Sequence, residues 1–225
     1  MFDFSPEGLL RAALRIILFL LSLSVHEFAH AWAAWRLGDD TAARMGRLTL
    51  NPFAHADPVG TFLLPLANAP FAWAKPVPVQ PRLFRRGVSM ARGDILVSAA
   101  GPAANLVLGL VTAIVLGLLI RFAPASLSAG QGVSELLIQL MQVNAGLLVF
   151  NFLPFPPLDG GHVAGNLVPY RHRETWDRWA HWAPMVLLGL VFLGSVSAFD
   201  PLGMVVGPPI QLLVRAFSSL AFAIA

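Results

Sequence analysis

The chain has 225 residues, of which 56% are hydrophobic and only 12% are charged, a composition that excludes an ordinary soluble domain and indicates a polytopic membrane protein. It contains no cysteine, which excludes disulfide bonds, thiolate metal ligands and a cysteine nucleophile, so a bound metal would need histidine and carboxylate ligands. The formal net charge of +3 does not indicate nucleic-acid binding, because the basic residues lie in short connections between apolar segments, where membrane topology explains them.

Five apolar segments are long enough to cross a bilayer as helices. They are Leu9–Leu37, Ile95–Phe122, Leu136–Phe155, Ala183–Phe199 and Leu202–Ala225. The first one superficially resembles a signal peptide, but no small-residue cleavage site follows it, and we interpret it as a retained span. The sequence therefore predicts an all-α polytopic membrane protein with about five to six transmembrane helices.

The first span contains the sequence HEFAH at residues 26–30. On a helix, residues i and i+4 share a face, so His26 and His30 can present their imidazoles to one metal ion while Glu27 stands beside it. A catalytic zinc takes three protein ligands and one water, and an adjacent glutamate can accept the water proton and later deliver it to the leaving amine. The alternative is two core histidines that bond to a neighbouring helix, which would not need the glutamate.

A shorter apolar segment, Val59–Ala74, contains Pro65 and Pro70 and predicts either a thin span or a re-entrant or β-hairpin region between the first two long helices. The basic residues favour re-entry. If the segment returns to the side where it began, 11 of the 15 lysines and arginines share one face, which the positive-inside rule makes cytoplasmic. Irregular backbone at membrane depth needs protein or a water-filled cavity to satisfy it, so we expect a cavity nearby.

The third metal ligand is expected after the Leu136–Phe155 segment, where the sequence NFLPFPPLDGGH occupies residues 151–162. Three prolines in four positions cannot continue a regular helix, so the backbone can unwind and turn the carboxylate of Asp159 toward a site within the membrane domain. The alternative is that Asp159 only ends the apolar segment at the membrane interface. Topology favours a ligand, because Asp159 approaches from the same side as the end of the first helix.

With these motifs in view, the chain resembles the site-2 protease family of intramembrane zinc metallopeptidases, peptidase family M50. The resemblance also covers residues 51–60 (NPFAHADPVG), 74–79 (AKPVPV) and 100–105 (AGPAAN). It implies one zinc ion per chain, with His26, His30 and Asp159 as ligands and Glu27 as the general base. It further implies that Asn151 binds the substrate backbone or the developing oxyanion, a role that an amide donor can perform.

The resemblance implies a minimal form of the family without PDZ or CBS domains. We expect one domain over residues 1–225, with a catalytic core at about residues 9–165 and C-terminal helices at about 181–225. We also expect His162 and Asn105 to be candidates for supporting the metal ligands from behind, although close packing of the AGPAAN helix and local structure are alternative uses. His55 is expected to be a turn or packing residue.

The expected reaction is hydrolysis of peptide bonds within or near transmembrane segments of membrane proteins, by zinc-activated water. The partners would be a transmembrane protein substrate and the lipid bilayer, with no nucleic acid. We expect a multi-pass protein of a prokaryotic plasma membrane, with the active site nearer the cytoplasmic face. Two other hypotheses stay open at this point: a membrane metal-ion transporter that uses the same three ligands, and a catalytically inactive membrane binding protein.

Overall fold

The computed structural model describes residues 5–63, 73–128 and 131–225. In these ranges the chain forms eight α-helices and no β-strand. The helices are α1 (Pro6–Arg36), α2 (Thr41–Arg44), α3 (Met90–Phe122), α4 (Pro124–Ser128), α5 (Gln131–Asn151), α6 (Asp159–Leu167), α7 (Arg173–Val196) and α8 (Pro201–Ile224).

Five of these helices, α1, α3, α5, α7 and α8, are long and apolar enough to cross a membrane. They coincide with the five predicted segments, so the prediction of an all-α polytopic membrane protein is confirmed. Most boundaries differ by a few residues; α3 and α5, for example, each begin five residues before the predicted Ile95 and Leu136. Helix α5 ends at Asn151, before the predicted Phe155, because the prolines that follow cannot continue it. Helix α7 begins at Arg173, well before the predicted Ala183. The prediction followed the apolar residues only, and the first turns of α7 are polar.

The apolar core lies where α3, α5 and α8 meet. Phe217 of α8 is 2% exposed and packs with Ala113, Met141 and Ala145. Gly109 of α3 lies directly beneath the Phe217 ring, and a Cβ atom added there would collide with that ring. Small residues of this kind let helices approach closely, which matters in a membrane because lipid is as apolar as the side chains.

The predicted re-entrant segment falls partly on residues 64–72, which lie outside the described residues. Its described start, Pro58–Leu63, is a short π-helix. The N–H of Trp73 donates to the carbonyl of Gly60 (3.2 Å), and the hydroxyl of Thr61 donates to the carbonyl of Trp73 (2.9 Å). The residues on either side of this segment, Gly60 and Trp73, are therefore hydrogen-bonded to each other. The re-entrant interpretation requires the two ends of the segment to be close in this way.

Candidate active site

Helices α1 and α6 bring the three predicted metal ligands together. His26 and His30 lie one turn apart on α1, and Asp159 is the first residue of α6. The Nε2 atoms of the two histidines are 3.0 Å apart. Asp159 Oδ2 is 3.2 Å from Nε2 of His26, and Oδ1 is 3.3 Å from Nε2 of His30. All three donors therefore converge on one point in the membrane domain.

This arrangement fits a zinc ion. Tetrahedral zinc with bonds of about 2.0–2.1 Å separates its ligand atoms by roughly 3.3 Å, close to the distances found here. The Nδ1 atoms of His26 and His30 face the oxygens of Asn105 (2.6 Å) and Val97 (2.7 Å), so Nδ1 carries the proton and each Nε2 presents a lone pair. Asp159 Oδ2 is buried without a hydrogen-bond partner in the described part of the chain. A cation would satisfy all three groups.

A buried polar network supports His26 from behind. Asn105 of α3 receives the His26 hydrogen bond, and its amide donates to Asn144 Oδ1 of α5 (2.9 Å). The Asn144 amide donates in turn to the hydroxyl of Ser22 on α1 (3.0 Å). Asn105 and Asn144 are both 0% exposed. Asn105 was a candidate for this position; Asn144 was not predicted, although an amide in an apolar span is a recognisable signal.

Gly101 lets α3 approach the two histidines. A Cβ atom added at Gly101 would collide with the imidazoles of His30 and His26. Pro102 follows inside the helix, and both residues are buried. The close-packing interpretation of the AGPAAN motif is therefore confirmed. At Gly101 the backbone of α3, without a side chain, lies directly against the two imidazoles.

Residues 74–80, called the strap below, belong to no helix or strand and lie against Glu27. Three buried side chains each bind one backbone group of the strap: Arg47 donates to the Lys75 carbonyl, Glu27 accepts from the Val77 N–H (3.0 Å), and Asp39 accepts from the Gln80 N–H (2.6 Å). One carboxylate oxygen of Glu27 is thus fixed by Val77, and the other has no hydrogen-bond partner among the described residues. The strap thereby orients the predicted general base beside the metal ligands.

His55 belongs to the anchor of the strap. Its side chain is 1% exposed, and its Nε2 donates to the carbonyl of Thr49 (2.8 Å). Its backbone carbonyl accepts from the N–H of Lys75 (2.9 Å). It lies outside the cluster of metal-ligand candidates. The prediction that His55 is a turn or packing residue is therefore confirmed.

A cavity of about 840 Å³ opens beside the metal ligands. One wall carries the polar groups, with Glu27, His30 and Asp159 among them. The strap forms its edge through Pro76 and Val77. A second part of the lining, called the α7 wall, is apolar and consists of Pro184, Leu187, Leu188 and Val191. The sequence predicted a cavity next to irregular backbone, and this cavity lies beside the strap.

The two remaining candidates, Asn151 and His162, both line this cavity. The Asn151 amide donates to the carbonyl of Leu147 one turn earlier (3.0 Å), so one of its N–H groups is turned back onto α5. His162 makes no hydrogen bond to a predicted ligand in the described structure; its Nδ1 instead faces Asp94 of α3, at 3.8 Å. Asp94 was not predicted, although a carboxylate within a long apolar helix is a signal for a functional group.

Comparison with known proteins gives a consistent answer. The model of "Peptidase family M50" matches residues 14–194. The chain is 41% identical over 155 residues to "Putative zinc metalloprotease YwhC" of Bacillus subtilis, covering 68% of each chain. It is 38% identical over 182 residues to "Putative zinc metalloprotease Rip2" of Mycolicibacterium smegmatis, covering 79% of this chain and 66% of that one. The Mycobacterium tuberculosis Rip2 is 34% identical over 174 residues, covering 77% and 62%. No solved structure matches the chain significantly.

Proposed function

The chain belongs to peptidase family M50, and from this premise we propose that it is an intramembrane zinc metalloprotease that hydrolyses peptide bonds within or near transmembrane segments of other membrane proteins. The single observation that carries the proposal is the convergence of His26, His30 and Asp159 beside Glu27 in a cavity lined by apolar helices. Two histidines and a carboxylate leave zinc one open position, which is the arrangement of catalytic zinc sites.

The residues divide the chemistry between them. His26, His30 and Asp159 would hold the zinc, which when bound acidifies water and polarises a carbonyl. Glu27 accepts a proton on the carboxylate oxygen that Val77 does not occupy, and it returns the proton to the leaving amine. Asn105 holds the His26 ring in the tautomer that leaves Nε2 free for the metal.

The strap and α7 fit a substrate between them. A transmembrane helix hides its carbonyls in its own hydrogen bonds, so it must unwind locally before a peptide bond can be attacked. The strap lines the cavity, but its N–H groups at Lys75, Val77 and Gln80 are already bonded and its two prolines have none. An unwound segment would therefore pair mainly with the carbonyl oxygens of the strap. The apolar side chains of α7 would then cover the segment from the other side. A substrate helix with weak helix formers near its end is therefore expected to be cleaved best.

We place the active site nearer the cytoplasmic face of a prokaryotic plasma membrane. The arginine distribution supports this, as does the hydrogen bond that joins Trp73 to Gly60, because it returns the chain to the side of the Arg36–Arg47 cluster. The cysteine-free sequence allows a direct test. In intact cells, Ala125→Cys should react with an impermeant thiol reagent and Arg86→Cys only after permeabilisation. The reverse pattern would contradict this orientation.

The chain also acts as one domain in this proposal, with the catalytic core at about residues 9–165 and the C-terminal helices at about 181–225 working together. The core cluster supports it, because Phe217 and Ala221 from the C-terminal part pack against Leu116 and Met141 of the catalytic part. Removal of α8 is therefore expected to disrupt the packing of α3 and α5, and not only to shorten the chain.

The test is Glu27→Gln in the full chain, with zinc content and cleavage of a single-span reporter measured in proteoliposomes. The reporter helix carries Gly and Pro near its cytoplasmic end. We expect zinc to be retained and cleavage to fall by about 10²–10⁴-fold, since proton transfer by Glu27 is lost. The matched control is Glu135→Gln, an exposed residue of α5 that should leave cleavage unchanged.

Two outcomes would contradict the proposal. Unchanged cleavage by Glu27→Gln would remove the assigned base. Zinc flux across the vesicle membrane that survives Glu27→Gln, without any reporter cleavage by the parent chain, would favour the metal-ion transporter instead.

A further inference from the structure

The cavity contains a second polar pair that the proposed mechanism does not use, formed by Asp94 of α3 and His162 of α6. Both residues line the cavity with Glu27. His162 Nδ1 lies 3.8 Å from Asp94 Oδ2, and the Asn166 amide donates to the same oxygen at 2.5 Å. The carboxylate is thus held on α6 by Asn166 and lies near the imidazole of His162.

The pair is attached to the helices that carry the metal site. His162 follows Asp159 by three residues on α6, so the two side chains share a face, with Cβ atoms about 5–6 Å apart. Asp94 stands one turn before Val97, whose carbonyl holds the His30 ring. The separation between the pair and the metal ligands is therefore set by two regular helices and not by a loop.

The His162 side chain is 58% exposed and lines the cavity, so its ring can reach a group bound there. Because Nδ1 faces Asp94, Nε2 is the ring nitrogen left for a group in the cavity. The nearby Asp94 carboxylate raises the pKa of His162 above its usual value, although partial burial opposes this. The charge of Asp159 also raises that pKa, and His30 lowers it. Arg173 and His162 both line a second, smaller pocket, where the Arg173 guanidinium donates to the Gly165 carbonyl.

Asn151 is the other candidate donor in the cavity, and its amide is already engaged. One N–H of the Asn151 amide is engaged with Leu147 on its own helix. His162 has no such local partner among the hydrogen bonds of the described residues, and Asp94 favours its doubly protonated form. An oxyanion donor must be fixed before the charge develops, because preorganisation is what makes it effective.

We propose that His162 is a catalytic residue that donates a hydrogen bond from Nε2 to the scissile carbonyl oxygen as negative charge develops on it, and that Asp94 is the positioning residue that orients the ring. This inference rests on the proposed function and deepens it. No proton leaves His162 in this step; the interaction is a hydrogen bond, and Glu27 alone transfers the proton from water to the amine.

The experiment measures kcat, KM and zinc content of the full chain with the single-span reporter in proteoliposomes. His162→Ala should lower kcat by about 10²–10³-fold, the loss typical for one oxyanion donor, with KM and zinc content unchanged. His162→Gln, which restores an amide donor, should recover part of the loss. The control is His172→Ala, an exposed histidine outside the cavity, which should behave as the parent chain.

The pH profile separates positioning from a structural role. Protonated His162 is the active form, so kcat should decline as pH rises through the His162 pKa. Asp94→Asn removes the charge that favours the imidazolium, so the pKa should fall and the decline should move to lower pH. Nitrogen-15 NMR of labelled histidine in the zinc-bound protein should show the same shift without any turnover, with His162→Gln assigning the signal.

The outcomes also distinguish the two proposals. If Glu27→Gln abolishes cleavage while His162→Ala leaves kcat unchanged, only the role of His162 is overturned. If His162→Ala loses zinc, or if Asp94→Asn leaves both the pH profile and the NMR titration unmoved, the pair is structural and the inference fails. If the parent chain binds zinc and cleaves no reporter, the proposed function fails, and the titration alone then decides whether Asp94 controls His162.

Discussion

The two walls of the cavity are built in different ways. The wall formed by α1, α3 and α6 carries every metal-ligand candidate, and its side chains are fixed by hydrogen bonds between helices, such as His26 to Asn105 and His30 to Val97. The α7 wall contributes only apolar side chains and a proline. Within the most apolar stretch of each helix, 33% of the α1 residues are buried in the protein but only 11% of the α7 residues. Helix α7 is therefore packed less closely against the rest of the protein.

Under the proposed function, this difference separates the residues of the reaction from those that contact the substrate. Catalysis needs ligands held in one geometry, which the polar wall provides by satisfying each ring nitrogen and amide. An apolar wall without directional bonds can accept different side chains at little cost. Changes to the ligand candidates, or to the residues that hold them in place, should therefore alter zinc binding, and changes on the α7 wall should alter substrate affinity alone.

The largest effect is expected from removal of a ligand. Asp159→Ala leaves two histidines, so zinc affinity should fall by more than about 100-fold, beyond the range seen for residues that only support a ligand. Zinc per chain after competition with a chelator measures it. Glu174→Ala, an exposed carboxylate on α7, is the matched control. Full zinc occupancy in Asp159→Ala would exclude this carboxylate from the metal site.

The next effect should come from the network behind the site. Asn105→Ala removes the acceptor of His26 Nδ1, so zinc affinity should fall by about 10–100-fold. It also leaves the buried Asn144 carbonyl without its donor, at roughly 1–3 kcal/mol of stability. Asn144→Ala is the comparison, because Asn144 touches Asn105 and not His26. Equal losses of zinc affinity in both variants would show that the network acts through stability and not through the ligand.

A smaller effect is expected at the glycine that faces the histidines. Gly101→Ala adds a methyl group where the rings of His30 and His26 lie, so the fold should lose about 1–3 kcal/mol from overpacking, with a several-fold loss of zinc affinity. Gly146→Ala on α5 has open space at the added Cβ and should be neutral or slightly stabilising. Thermal unfolding in detergent, with and without zinc, measures both. Similar behaviour of the two variants would contradict close packing at Gly101.

The smallest effect belongs to the α7 wall. Leu188→Ala removes an apolar group from the cavity, so KM for the reporter should rise a few-fold, corresponding to about 1 kcal/mol of lost contact. Zinc content and melting temperature should not change. Met185→Ala removes an exposed side chain of the same helix that does not line the cavity. A zinc loss in Leu188→Ala would remove the distinction between the two walls.

The composition and the apolar segments of the sequence predict much of the fold. The apolar segments located all five long helices, because a bilayer demands about 20 apolar residues whatever their tertiary neighbours are. The ends of the helices were harder to predict than their existence. Helix α5 ends at Asn151, shortly before Pro154, whereas the polar residues after Arg173 already belong to α7. The segment after Leu63 had no regular period, and only hydrogen bonds such as Trp73 to Gly60 show that the chain returns.

The sequence by itself determined the chemistry of the site, because the i, i+4 spacing of His26 and His30 fixes a shared helix face and the lack of cysteine restricts the third ligand to an oxygen or nitrogen. The tertiary structure alone decided what surrounds those ligands. Val77 meets Glu27 across 50 residues of sequence, and Asn144 meets Ser22 across 122. Asp94 faces His162 in the same way. Local spacing cannot encode such pairs, because they depend on which faces of separate helices pack together.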